Sequence, residues 1–153
     1  MNARFTKYVH GLQPKLNELL RMKAFKMNVL PKDLPKAGIY LFSQRRRHLY
    51  VGRSSNIRRR LRNHCRRNHN AASFAFLLAR DKTGNHEPSC KKQGSRSHLM
   101  RQKAFRVIFF SQIERVKRMD VRFVEEPDAK KRMLLEAYVA ITLNTRYDKF
   151  EET

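Results

Sequence analysis

Apolar positions first recur at near-helical spacing in the stretch Leu12, Leu16, Leu19, Leu20 and Met27. This pattern predicts an amphipathic helix over residues 10–28, with Gly11 and Pro14 at its start. Pro31 and Pro35 then punctuate a linker. Two β-type runs follow, Gly38-Ile39-Tyr40-Leu41-Phe42 and His48-Leu49-Tyr50-Val51. The polar segment Ser43 to Arg47 joins them, which is a hairpin signal. Ser54-Ser55-Asn56 offers a cap for a helix from about Ile57 to Asn68. The short apolar segment from Ala71 to Arg80 fits either element type. Residues 81–97, rich in Gly and Ser and holding Pro88, read as a flexible insert. A long helix over residues 98–118 carries the stripe Phe105, Ile108, Phe109, Ile113 and Val116. Val121 to Val124 alternates as a strand, and Pro127 and Asp128 open a last helix reaching about Thr142.

This order of elements predicts an α+β fold, a small antiparallel sheet with helices around it and an extra helix at the N-terminus. No internal repeat is visible. A length of 153 residues suits a single domain: an N-terminal helical extension over 1–34 and a core over 35–150 that carries the flexible insert 81–97. The apolar fraction of 41% is enough for a packed interior. No stretch is apolar for long enough to span a bilayer. Met1 to His10 carries Arg4 and Lys7 with no apolar run behind them, so a secretory signal is not expected. Cys65 and Cys90 are the only cysteines and make no disulfide framework, so the expected compartment is the reducing cytoplasm.

Charge changes the picture. The chain holds 35 Lys and Arg against 13 Asp and Glu, a formal net charge of +22. Such a balance implies a polyanionic partner. Nucleic acid comes first, because each neutralised phosphate releases a counterion. An anionic membrane surface comes second, but no basic amphipathic helix with a strong aromatic face is present. Between Asp33 and Asp81 there is no acidic residue at all. Arg45, Arg46, Arg47, Arg53, Arg58, Arg59, Arg60, Arg62, Arg66, Arg67 and Arg80 fall in that interval. Arginines at this density repel one another unless phosphates neutralise them, and their planar forks grip two phosphate oxygens at once.

Three features carry candidate chemistry. On the helix after the hairpin, Ile57, Arg60, Leu61, His64 and Asn68 share one face, while Arg58, Arg59, Arg62 and Arg66 lie largely on the other. Arg60 and His64 therefore sit beside the apolar residues, either as site residues or as a snorkelling arginine and a satisfied core histidine. Glu136 stands in Met133-Leu134-Leu135-Glu136-Ala137-Tyr138-Val139-Ala140-Ile141, a run apolar on nearly every side. A carboxylate there must pair with an arginine, Arg60 being one candidate, or hold a metal. A single carboxylate with water and phosphate oxygens suits Mg²⁺. The spacings Cys65 to His69 and His86 to Cys90 leave a zinc site as a rival.

The succession Gly38-Ile39-Tyr40, Leu49-Tyr50-Val51-Gly52 and Asn56-Ile57-Arg58-Arg59-Arg60-Leu61-Arg62-Asn63-His64 closely resembles the signature of the GIY-YIG nuclease superfamily. The resemblance spans roughly residues 35 to 150. It is closest to small stand-alone bacterial members, which Phe74 to Arg80 and Met119 to Glu125 also resemble. It implies the GIY-YIG fold, with a three-stranded antiparallel sheet, and a divalent-metal-dependent endonuclease. Carried over residue by residue, Tyr40 is the implied base for water, Tyr50 shapes the site and Arg60 contacts phosphate. His64 supports the tyrosine chemistry, and Glu136 binds the metal. The superfamily's usual final asparagine is not matched: Asp148 follows Tyr147, and Asn144 lies nearer.

Two functions are therefore weighed. The first is hydrolysis of DNA phosphodiesters with Mg²⁺ or Mn²⁺, the substrate being held by Arg53, Arg58, Arg59, Arg62 and Asp148. The second is non-catalytic nucleic-acid binding on the same fold. Neither a membrane nor an obligate protein partner is expected. No separate DNA-reading domain is recognisable, so shape and backbone recognition are expected over base sequence.

Overall fold

A computed structural model describes residues 1–147. The chain forms two compact units. Of the described residues, the first takes 1–60 together with 119–147, and the second takes 61–118.

The first unit is built on a three-stranded antiparallel sheet in the order β2-β1-β3, with β1 Gly38–Gln44, β2 Arg47–Ser54 and β3 Asp120–Glu125. Alternation assigns its faces. Ile39 and Leu41 of β1, Val51 of β2 and Val124 of β3 point to one face. There they pack with Leu12, Leu16 and Leu19 of α2 (Leu12–Arg21) and Leu135, Val139 and Ala140 of α7 (Ala129–Leu143). The opposite face carries Tyr40, Phe42 and Tyr50, all fully buried. This is the α+β architecture and antiparallel sheet that the sequence predicts.

The N-terminal helix differs from its expectation. The helix expected over 10–28 is shorter, α2 (Leu12–Arg21), and a further helix that the pattern did not predict, α1 (Ala3–Val9), precedes it. Asn2 starts α1 by accepting hydrogen bonds from the Arg4 and Phe5 amides. After Arg21 the chain leaves helical geometry to pair Phe25 with Val121 through two backbone hydrogen bonds of 2.9 and 2.8 Å. Phe25 also stacks on Phe123 at 5.9 Å. This pairing covers part of the outer edge of β3, a tertiary requirement that outweighs helical periodicity. At the other end, Asp128 caps α7 through the Lys131 amide, and Asn144 closes it in the left-handed region at φ 48°.

In the second unit, the open segment resolves as helix α4 (Ser73–Thr83), closed by Gly84 at φ 70°. It packs against α6 (Lys103–Lys117) with Phe76 between Phe105 and Phe109. The helix expected over 98–118 is two, α5 (Arg96–Arg101) and α6, with Gln102 extended between them. Arg106 donates to the Met100 and Arg101 carbonyls, satisfying the end of α5. The insert begins three residues later than expected because α4 claims residues 81–83. The buried Arg80 then ties the segment down, donating to the Asn85 and Glu87 carbonyls and to the Ser89 hydroxyl.

Candidate active site

Helix α3 (Ile57–His64) begins where Asn56 accepts the Arg59 amide. It stops short of the expected Asn68: Cys65 and Arg66 close i→i+3 bonds to the Arg62 and Asn63 carbonyls. Crowded arginines without any interleaved acid weaken continued α-helix. Ile57, Leu61 and His64 are wholly buried, and Arg60 is half-buried. The Arg60 Nε donates to the Tyr40 hydroxyl at 3.3 Å, so the helix arginine does turn back to the hairpin. Tyr50 lies within the electrostatic reach of the same guanidinium, its ring tilted against Tyr40 at 6.3 Å.

Gly52 is what lets Tyr40 lie there. Tyr40 and Gly52 are cross-strand partners on one sheet face. A Cβ on Gly52 would come within 2.3 Å of the Tyr40 hydroxyl oxygen. The phenol thus crosses β2, the edge strand, through the space a side chain would fill. Burial pushes the Tyr40 phenol well above its ordinary pKa of 10.0, and neighbouring Tyr50 and the Glu136 charge push the same way. Arg60 opposes them without prevailing. The sequence reading expected cationic neighbours to ready Tyr40 as a base. In the structure desolvation outweighs them, and the phenol is held protonated near neutral pH.

Glu136 is 3% exposed, and its Oε2 lies 3.3 Å from Nε of Arg53. Sequence reasoning named Arg60 as one candidate ion-pair partner; the structure shows a pair with Arg53, whose side chain is 42% exposed. Alternation puts Arg53 on the α7 face and Tyr40 on the other, with Gly52 between them in sequence. Tyr40, Arg60, Arg53 and Glu136 thus gather about one stretch of the β2 edge. A buried carboxylate beside a phenol offers the hard oxygen donors that a divalent cation takes, water and phosphate oxygens completing its shell. Among the described residues no group of three His, Cys, Asp or Glu comes together. The zinc quartet Cys65, His69, His86 and Cys90 is therefore not assembled. Burial also pushes the Cys65 thiol up, against the thiolate that zinc requires.

The arginine block is not uniform. Arg59, Arg62 and Arg66 are exposed, as expected of the outward helix face. Arg58, expected to bind substrate, is committed elsewhere: its Nη2 donates to the Pro31 and Lys32 carbonyls at 2.5 and 3.2 Å, fastening the linker to α3. Arg80 is likewise spent on the insert. Arg67 is exposed over the Phe110 ring, 4.2 Å from its centroid. Asn144 is accounted for as the left-handed cap of α7, and Asp148 lies outside the described residues. Sequence reasoning missed Gly52 as a site residue, although its place two positions after Tyr50 was the available signal.

The GIY-YIG catalytic domain family matches residues 36–148, most of the chain, and the protein belongs to that family of nucleases. Among curated proteins and among solved structures, none matches the chain. No helix among the described residues is long and apolar enough to cross a membrane.

Proposed function

We propose that the protein is an endonuclease that hydrolyses DNA phosphodiester bonds with one divalent cation, Mg²⁺ or Mn²⁺. The observation that carries this reading is the grouping of a phenol, an arginine and a buried carboxylate at one sheet edge: Tyr40 bonded to Arg60, with Glu136 close enough to shift the phenol. Glu136 would hold the cation, which when bound stabilises negative charge on the phosphate and on the leaving oxygen. Arg60, bonded to Tyr40 through its Nε, would bind a non-bridging oxygen and oppose the charge that grows during attack.

Tyr40 is protonated in the free protein, so its hydroxyl first positions the attacking water as a hydrogen-bond partner. It takes that water's proton only in the small fraction of molecules where the phenolate forms, a fraction that rises with pH. Tyr50 fixes the Tyr40 ring from the side, and His64 keeps the supporting role the family resemblance assigns it. Arg53 serves two partners in turn, Glu136 before substrate arrives and a phosphate afterwards. Arg59 and Arg62 hold the flanking backbone. Asp148 remains a proposed substrate contact by resemblance alone. The cytoplasm is the proposed compartment, on cysteine usage.

The test is incubation of the chain with supercoiled, linear, branched and single-stranded DNA, and with RNA, in Mg²⁺ or Mn²⁺, beside Tyr40→Phe and Glu136→Gln. Cleavage of DNA by the parent alone, with both variants still binding, is expected. Cleavage confined to RNA would replace the substrate. A second reading, a binding protein without catalysis, has two observations in its favour: Tyr40 is 0% exposed, and Glu136 already has a cationic partner. It predicts no cleavage by the parent under any cation, and unchanged DNA affinity in both variants.

A further inference from the structure

The hairpin between β1 and β2 turns through two residues, Arg45 and Arg46, since Gln44 pairs with Arg47. Both have positive φ, 50° and 63°. A two-residue turn of this kind strongly prefers Asn-Gly, because a Cβ is disfavoured in the left-handed region. Two consecutive arginines are a poor local choice, and all three residues from Arg45 to Arg47 are exposed. Folding alone does not explain them. Among the described residues no ion pair involves any of the three. The acid at that end of the sheet, Asp120, opposite Ser43, is taken by Lys26 at 2.6 Å.

We infer that this turn is a second phosphate-binding element for duplex DNA, held at a fixed distance from the bond that is cut. The inference rests on the nuclease reading above and adds a site to it. β1 carries both ends of the device: Tyr40 lies on the strand and Gln44 is its last residue before the turn. At about 3.3 Å per residue the tip stands roughly 13–17 Å from Tyr40 along the strand. Each step along one DNA strand turns as well as rising about 3.4 Å, so successive phosphates lie roughly 7 Å apart and the tip reaches backbone about two or three steps from the reacting phosphate. Pairing with β3 ends at Ser43, so the turn extends past the neighbouring strand, where a duplex backbone can meet it. A strained turn with three positive side chains sacrifices stability for a rigid, charged contact, which is how strain at functional sites is commonly used.

The experiment replaces the turn by its locally preferred sequence, Arg45→Asn with Arg46→Gly, in the full chain. The melting temperature should rise, by about 2–4 °C. Duplex affinity near 0.1 M salt should fall about 10- to 100-fold, and the slope of log affinity against log salt should flatten by roughly two. Arg45→Ala with Arg46→Ala should lose the same slope without the thermal gain, and Arg45→Lys with Arg46→Lys should keep it. On the parent, neutral methylphosphonate linkages about two or three steps from the cut should weaken binding more than those farther away. An Asn-Gly variant that is more stable yet keeps the parent's salt slope overturns the inference while leaving the nuclease reading intact. A variant less stable than the parent overturns the premise of a strained turn. A parent that does not bind duplex DNA removes the nuclease reading and this inference together.

Discussion

The Tyr40 hydroxyl lies where a side chain on Gly52 would have to go, within 2.3 Å of the position a Cβ would occupy. The two residues are cross-strand partners, and the phenol is wholly buried with Arg60 at its tip. A glycine at this point of the edge strand is therefore the condition for the tyrosine to reach the sheet edge.

Gly52→Ala should displace Tyr40, because the ring is enclosed and cannot swing aside into solvent. Overpacking of this kind costs about 1–3 kcal/mol. Cleavage should fall at least about tenfold while duplex affinity, carried by the exposed arginines, changes little. A melt, a cleavage assay and a binding isotherm on one preparation decide it; an alanine variant with parental cleavage would mean that Tyr40's position is not critical.

The raised pKa of Tyr40 predicts two pH effects. In the unfolded chain the phenol titrates near 10, and in the folded protein it titrates higher. Stability from this group is therefore fully present below pH 10 and is lost as pH rises from 10 toward the folded value. Tyr40→Phe should show a shallower alkaline loss of stability than the parent. In the parent, cleavage should rise about tenfold per pH unit between roughly 7 and 9, if the phenolate is the proton acceptor. A flat rate profile over that interval would assign the proton to another group.

Glu136→Gln keeps the shape of the side chain and removes its charge. The partner left behind, Arg53, is 42% exposed and can be hydrated, so the melting temperature should change little. Metal binding should be lost, since a neutral amide oxygen attracts Mg²⁺ far less. Cleavage should fall by at least about a hundredfold, and DNA binding should hold or tighten. Calorimetric titration with Mg²⁺ is the deciding measurement: undiminished heat would remove Glu136 as the metal ligand.

Arg58 and its neighbours should separate cleanly. Arg58→Ala removes the bonds to the Pro31 and Lys32 carbonyls, so it should lower the melting temperature while leaving the salt dependence of DNA binding unchanged. Arg59→Ala with Arg62→Ala should do the reverse, flattening the salt slope by about two with little effect on stability. Equal slopes in both variants would mean that the exposed side of α3 is not a DNA contact.

The strands, the arginine helix and the glutamate helix were legible in the sequence because each depends on a local pattern. Alternation over residues 38–51, the cap at Asn56 and the apolar run around Glu136 are all short-range signals. The motif spacing, read as a resemblance, brought Tyr40, Tyr50, Arg60, His64 and Glu136 together as one set of candidates. The N-terminal helix was misjudged because Phe25 is held by Val121, almost a hundred residues away, and no local periodicity records that bond. The same reason hid the fates of the arginines. Arg45, Arg53, Arg58 and Arg80 are the same residue type in one unbroken basic block. Only the fold turns Arg53 to a carboxylate, Arg58 and Arg80 to backbone carbonyls, and leaves Arg45 at a strained tip. The sign of the Tyr40 shift was also beyond the sequence, because desolvation depends on how much protein surrounds a group. Charge composition by itself determined that a polyanion is the partner. Which charges remain to meet it was decided by packing, which uses up guanidinium groups wherever buried acceptors need donors.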